Sequence, residues 1–246
     1  MPDIRVFDDS PAVARAAADA ISQAARERAA AGENVSVVLS GGSTPKLLYQ
    51  LLAKDPYRSA IDWGRVEVYF GDERAVPPAH ADSNFRMADE ALLAHVPLRP
   101  EHVHRMRGEI EPEEAAVEYG RMLKARFGET GGPDVTLLGM GDDGHTASLF
   151  PFTSAVDETR HRCVAHFVEK STTGQSWRIT LTAPFINRSA RVLALVTGAS
   201  KADRLFEVMH GPQDPRRLPI QLIRPAPGGM VWLLDRTAAA RVGATF

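Results

Sequence analysis

The chain has 246 residues, 44% of them hydrophobic and 24% charged, with a formal net charge of −2. That length supports one sizeable core, and the charge balance excludes a surface built for bulk nucleic-acid binding, which needs a basic face. Positive charge that meets an anionic ligand must therefore be local. The single cysteine, Cys163, excludes an internal disulfide. It sits in the strand-like run CVAHFV, where a small buried apolar residue is expected. The N-terminal MPDIRVFDDS has neither the basic nor the apolar region of a signal peptide. No unbroken apolar stretch approaches the ~18 residues of a membrane helix. A soluble, cytoplasmic protein is expected, with a monomer as the default because no long exposed apolar stripe is evident.

Helical and strand periods alternate along the chain. Residues 11–32 are alanine-rich, start at Pro11 and end at Gly32, which predicts a helix. VSVVL at 35–39 is a β-branched strand run. The segment 44–54 carries leucines at helical spacing, with Thr44 as expected N-cap and Pro45 in the first turn. VEVYF at 66–70 reads as a strand, and Ser83 as the cap of a helix over NFRMADEALLAHV. Residues 111–127 form a helix, acidic at its start and basic at its end as the helix dipole favours. Strands are expected at 134–138, 163–168, 177–182, 191–196 and 230–235, with a helix at 199–210. Such alternation predicts an α/β fold with a largely parallel sheet, antiparallel pairing within 163–182, and one domain over 1–246.

Open α/β sheets bind ligands beyond the C-terminal ends of their strands, so the residues just after each strand carry the functional signal. VVL runs into SGGSTPK at 40–46, where glycines and a helix start offer free N–H groups to an anion, or make an ordinary strand–helix turn. The run is too short for a P-loop. Val38 occupies the first glycine position of a nucleophile elbow around Ser40, so a serine-hydrolase mechanism has no support. GDER at 71–74 places Arg74 either in an internal ion pair or against an anion, with an acid holding its guanidinium plane.

GMGDDGHTASLFP at 139–151 brings three glycines, Asp143 and His145 beyond a buried strand, with His145 at the start of a short helical pattern. A histidine near neutral pKa suits a general base, and a carboxylate beside it can fix its tautomer. TGASK at 197–201 repeats the strand–glycine–helix pattern, with Lys201 poised for a phosphate or simply solvated. No H-E-x-x-H motif or second cysteine supports a metal, and no G-x-G-x-x-G with a ribose-binding acid supports a dinucleotide. Together the four stretches point to a small phosphorylated substrate and acid–base chemistry without a cofactor.

At these residues the sequence resembles the 6-phosphogluconolactonases. SGGSTPKLLYQLL, YFGDERAVPPAHADSNFRMADEALL, DVTLLGMGDDGHTASLFP, WRITLT, LVTGASKADRL and VWLLDRTAA stand in that family's order over about residues 5–240. DGHTASLFP is the most specific part. The resemblance implies a Rossmann-like three-layer α/β/α fold, shared with glucosamine-6-phosphate deaminases and ribose-5-phosphate isomerases. It implies hydrolysis of 6-phospho-D-glucono-1,5-lactone to 6-phosphogluconate, the second step of the oxidative pentose phosphate pathway. His145 takes the general-base position, Asp143 the orienting position, and Arg74 the place near the lactone. Gly41, Gly42, Ser43 and Thr44 match the phosphate loop, and Arg178 and Lys201 the basic residues at its phosphate end. KSTTGQS at 170–176 stands where the family often has a proline-rich stretch.

Two rivals follow from the same resemblance. An amino-sugar-phosphate deaminase or isomerase of this fold has a glutamate shortly after the histidine, whereas here no acid follows His145 until Asp157. A sugar-phosphate sensor carries a DNA-binding module ahead of the domain, whereas this chain is expected to begin within the α/β domain.

Overall fold

The computed structural model describes residues 3–169, 176–226 and 229–242. In chain order its elements are β1 (Asp3–Phe7), α1 (Ser10–Ala30), β2 (Val35–Leu39), α2 (Ser43–Leu52), the one-turn α3 (Tyr57–Ala60), β3 (Val66–Phe70), β4 (Asp72–Arg74) and α4 (Asn84–Ala91). There follow β5 (Val103–His104), α5 (Pro112–Phe127), β6 (Val135–Leu138), β7 (Cys163–Phe167), β8 (Trp177–Leu181), the one-turn α6 (Ala183–Ile186), β9 (Arg191–Val196), α7 (Ala202–His210) and β10 (Met230–Asp235).

Seven strands form one sheet in the order β1-β10-β9-β6-β2-β3-β5, and every pair is parallel. β2 and β3 are buried along their whole length, so both faces of the sheet are covered and their runs are continuously apolar. Because successive side chains point to opposite faces, Val37 and Leu39 join the core under α1, α2 and α4, while Val38 joins the core under α5. A third cluster packs Leu205 and Val208 of α7 against Ala194, Val196 and Leu234. α1 is capped by Asp9, whose carboxylate accepts from the Ala12 amide at 2.8 Å. Its buried alanines, including Ala14, Ala17 and Ala18, let it lie close on the sheet.

The expected antiparallel pairing of 163–182 is present as β7 with β8, and β4 adds a third strand. Gly71 makes the link: its amide bonds Leu39 O in the main sheet, and its carbonyl accepts from Leu181 N in the small one, each at 2.8 Å. The chain thus leaves β3 and enters β4 within one residue, which sets Arg74 opposite Arg178 at the edge of the main sheet.

Several elements differ from the sequence reading. β1 lies on the sheet edge with no fully buried residue and carries Arg5, so it lacks the apolar run of an inner strand. β4 and β5 have three and two residues, too short for a periodic signal. The helix expected to span 84–96 stops at Ala91 and passes into a 3₁₀ turn at Leu93–His95. Thr44 is not the N-cap of α2: Gly42 holds that place at φ 108°, with no side-chain cap, and Thr44 lies in the first turn. His145 follows a turn at 142–143, and no helix starts there. Ser83 does cap α4, accepting from the Arg86 amide. The loop expectation at 170–175 lies outside the described residues.

Candidate active site

A cleft of about 330 Å³ opens at the C-terminal ends of β2, β6 and β9, beside β4 and β8. Gly41, Gly42, Ser43, Thr44, Arg74, His145, Arg178 and Lys201 all line it. Asp143 does not face the cleft but holds His145 from behind.

The 41–44 loop ends β2 and begins α2. Gly42 adopts a φ of 108°, in the region that only glycine enters without strain. No side chain caps the helix, so the first amides stay available to an anion and the helix dipole adds a favourable field. Thr44 Oγ1 lies 2.7 Å from Thr197 Oγ1, which ties this loop to the turn carrying Lys201.

His145 Nδ1 lies 2.6 Å from Asp143 Oδ1, and the His145 amide donates to the same oxygen at 3.0 Å. Burial would raise the Asp143 carboxyl, but the bond from His145 outweighs it and holds the group below the usual aspartate range. A carboxylate can only accept, so Nδ1 is the donor, and in the neutral ring the lone pair sits on Nε2. Nε2 makes no hydrogen bond among the described residues, and the ring lies on the cleft wall against Phe150, centroids 4.2 Å apart. Gly141 makes this approach possible. A Cβ there would stand 2.1 Å from His145 Nδ1 and 2.7 Å from Asp143 Oδ1.

Two guanidiniums face the cleft from the small sheet. Arg74 donates to the carbonyl of Asp82 at 2.5 Å, and no carboxylate among the described residues pairs with it, so the expected acid brace is corrected. Glu73 is instead buried against α4, accepting from the Ser83 hydroxyl and from the amides of Asn84 and Phe85. Burial pushes its carboxyl up despite those bonds. Arg178 is 4% exposed, and burial followed by the neighbouring Arg74 charge lowers its pKa against the opposing pull of Asp72. An arginine stays cationic even so. Two cations side by side at a cleft wall favour an anion or a developing oxyanion between them.

Sequence reasoning passed over four polar groups of the cleft. Asp72 accepts from Ser148 Oγ at 2.6 Å and from Asn84 Nδ2 at 3.3 Å, and all three line the cleft with Thr197. Asp72 lies within GDER, and the others follow the helix-cap serine, follow His145 and open TGASK, which was the available signal. Gly41 is held to its size by this wall, since a Cβ would meet Asn84 Oδ1 at 2.3 Å. Behind it, His166 Nε2 donates to Ser148 O at 2.6 Å, and burial lowers the ring's pKa.

Lys201 Nζ lies 2.7 Å from Asp142 Oδ1, which gives a partner to both residues. Arg204 Nε donates to the Asp142 carbonyl at 2.9 Å, so Asp142 links the 139–145 turn to the 197–204 segment. Among the described residues no group of three or more His, Cys, Asp or Glu side chains stands close enough to hold a metal ion. No described helix is long and apolar enough to cross a membrane.

The family model described as glucosamine-6-phosphate isomerases/6-phosphogluconolactonase matches residues 8–232. The 6-phosphogluconolactonase of Haemophilus influenzae is 40% identical over 204 residues, covering 83% of this chain and 86% of that protein. The Synechocystis 6-phosphogluconolactonase is 41% identical over 208 residues, covering 82% of each. The solved 6-phosphogluconolactonase of Trypanosoma brucei superposes with a TM-score of 0.87 over 99% of both chains at 28% identity. A monomeric glucosamine-6-phosphate deaminase shares the fold, with a TM-score of 0.83 over 97% of this chain and 99% of that one at 19% identity.

Proposed function

The chain belongs to the family of glucosamine-6-phosphate isomerases and 6-phosphogluconolactonases, and we propose that its cleft hydrolyses 6-phospho-D-glucono-1,5-lactone to 6-phosphogluconate in the oxidative pentose phosphate pathway. The observation that carries the reading is the His145–Asp143 pair, with Nε2 open to a cleft that also holds an uncapped helix start and three cations.

The phosphate docks on the 41–44 amides and Lys201, and Arg178 adds charge at that end. This places the lactone carbonyl beside His145 and Arg74. Nε2 takes a proton from water as its oxygen bonds to C1, and Asp143 steadies the imidazolium. Negative charge gathers on the carbonyl oxygen, where Arg74 stabilises it. The C1–ring-oxygen bond then breaks, the carbonyl re-forms, and the imidazolium returns its proton to the departing ring oxygen. No cofactor enters this sequence. A single chain in the cytoplasm is the working unit proposed. A dimer mass by light scattering would contradict the monomer.

The absence of an acid between His145 and Asp157 favours this reading over deamination. The test is acid release from freshly made lactone beside ammonia release from glucosamine 6-phosphate. Rapid acid release without ammonia is expected. Ammonia release with lactone decay at the spontaneous rate would overturn the proposal.

A further inference from the structure

A second pocket, of about 410 Å³, lies at the opposite end of the main sheet. The middle of α5 from Ala116 to Lys124, the 160–162 segment and Arg188 beyond α6 enclose it. Arg188 and Gly132 lie just before β9 and β6, whereas the cleft lies just after those strands. Its lining includes Arg121, Lys124, Arg160, Arg162 and Arg188 against one carboxylate, Glu129, in a chain whose net charge is −2.

Structural work accounts for three of these cations. Lys124 pairs with Glu129 at 2.5 Å. Arg162 and Arg188 donate to the Glu129 carbonyl and so hold the chain leaving α5. The guanidiniums of Arg121 and Arg160 make no hydrogen bond or ion pair among the described residues. Arg162, its side chain only 10% exposed, keeps a buried Nε–H without an acceptor. Clustered like charges repel, and the one carboxylate among the described lining residues, Glu129, is already paired with Lys124.

We propose that this pocket binds a small phosphorylated molecule, held by Arg121 of α5 and Arg160 of the facing loop, at a site separate from the cleft. Guanidinium forks match the paired oxygens of a phosphate, and two of them on different walls fit a group with several charged oxygens. Val117 and Cys163 give the pocket an apolar part for the remainder of such a molecule. The pocket is concave and local rather than an extended basic stripe, which fits a small molecule and not a nucleic-acid strand.

The experiment is a titration of the full chain with inorganic pyrophosphate at constant ionic strength, followed by amide chemical shifts. Saturable shifts are expected at 117–124 and 160–163, resolved from any at the 41–44 loop. The double variant Arg121→Glu/Arg160→Glu should weaken that binding by about tenfold or more, while kcat and KM for the lactone stay within about twofold. Should the charge reversals disturb the spectrum, Arg121→Gln/Arg160→Gln carries the same readout. Shifts confined to the cleft, equal shifts from chloride alone, or unchanged affinity in the double variants would overturn the proposal.

Discussion

Four described histidines sit beside carboxylates, His80, His104, His145 and His161, and the contrast between the pairs of His104 and His145 shows what the proposed chemistry requires. At the N-terminal half of β3, Glu67 Oε2 lies 3.6 Å from His104 Nε2. Glu67 is already saturated: it accepts from Asn34 Nδ2 at 3.0 Å, from the Tyr69 hydroxyl at 2.7 Å, and from Arg126. Burial works against its charge, yet those bonds pull its pKa from the ordinary 4.5 to about 2. His104 stacks on Tyr69 with its Nε2 buried, and burial lowers its pKa. In the cleft, Asp143 spends its side-chain bond on His145, and the imidazole keeps its far nitrogen open. A histidine–carboxylate pair becomes an acid–base device only where a valence is left over and faces a cavity.

Breaking the two pairs in parallel sharpens this contrast most. His145→Ala should lower lactonase kcat by roughly 10²–10⁴-fold, with KM nearly unchanged in steady-state assays. His104→Ala should leave kcat within about twofold and lower Tm instead, through a lost stacking partner. Asp143→Asn should cost on the order of 10²-fold in kcat, because an amide can support the wrong imidazole tautomer.

Backbone substitutions extend the comparison to the turn itself. Gly141→Ala should displace the His145–Asp143 pair and lower kcat by about 10²-fold, since a shift near 1 Å suffices. Gly139→Ala, where a Cβ meets nothing within 4 Å, should leave kcat near wild type. Equal kcat in both variants would contradict the assigned geometry. Lys201→Ala should raise KM about tenfold with kcat changed far less, as expected for a lost charge-assisted contact to phosphate. An unchanged KM would leave Lys201 as a partner of Asp142 only.

The smallest effect on activity belongs to Glu67. Its folded pKa lies below the unfolded one, so its stabilisation is full above about pH 4.5 and is lost as pH falls towards 2. Glu67→Gln should therefore lower stability by roughly 1–3 kcal/mol near neutrality, flatten the acid side of the Tm–pH curve, and leave kcat unchanged. A wild-type-like acid slope in that variant would remove Glu67 from the account.

Much of this was legible in the sequence because strand ends announce themselves. VSVVL, VEVYF, RVLALV and MVWLLD are β-branched or leucine-rich runs buried on both faces, and glycine follows or nearly follows three of them. The proposed general base His145 and its partner Asp143 were readable because they too follow a buried run, at β6. What escaped depends on distant residues. β4 exists because Asp72–Arg74 pairs with β8 about a hundred positions later, which no local pattern encodes. The Asp72–Ser148 bond spans 76 positions, and the Lys201–Asp142 pair joins two loops from different strands. The expected brace on Arg74 failed because Glu73, its neighbour in sequence, points to α4 on the other side of a strand.

The most direct measurement is a structure of the protein with 6-phosphogluconate bound. The account predicts the phosphate on the Gly42–Thr44 amides and Lys201, with the C1 carboxylate beside His145 Nε2 and Arg74. A ligand bound in the reverse sense, or with C1 out of reach of His145, would contradict it.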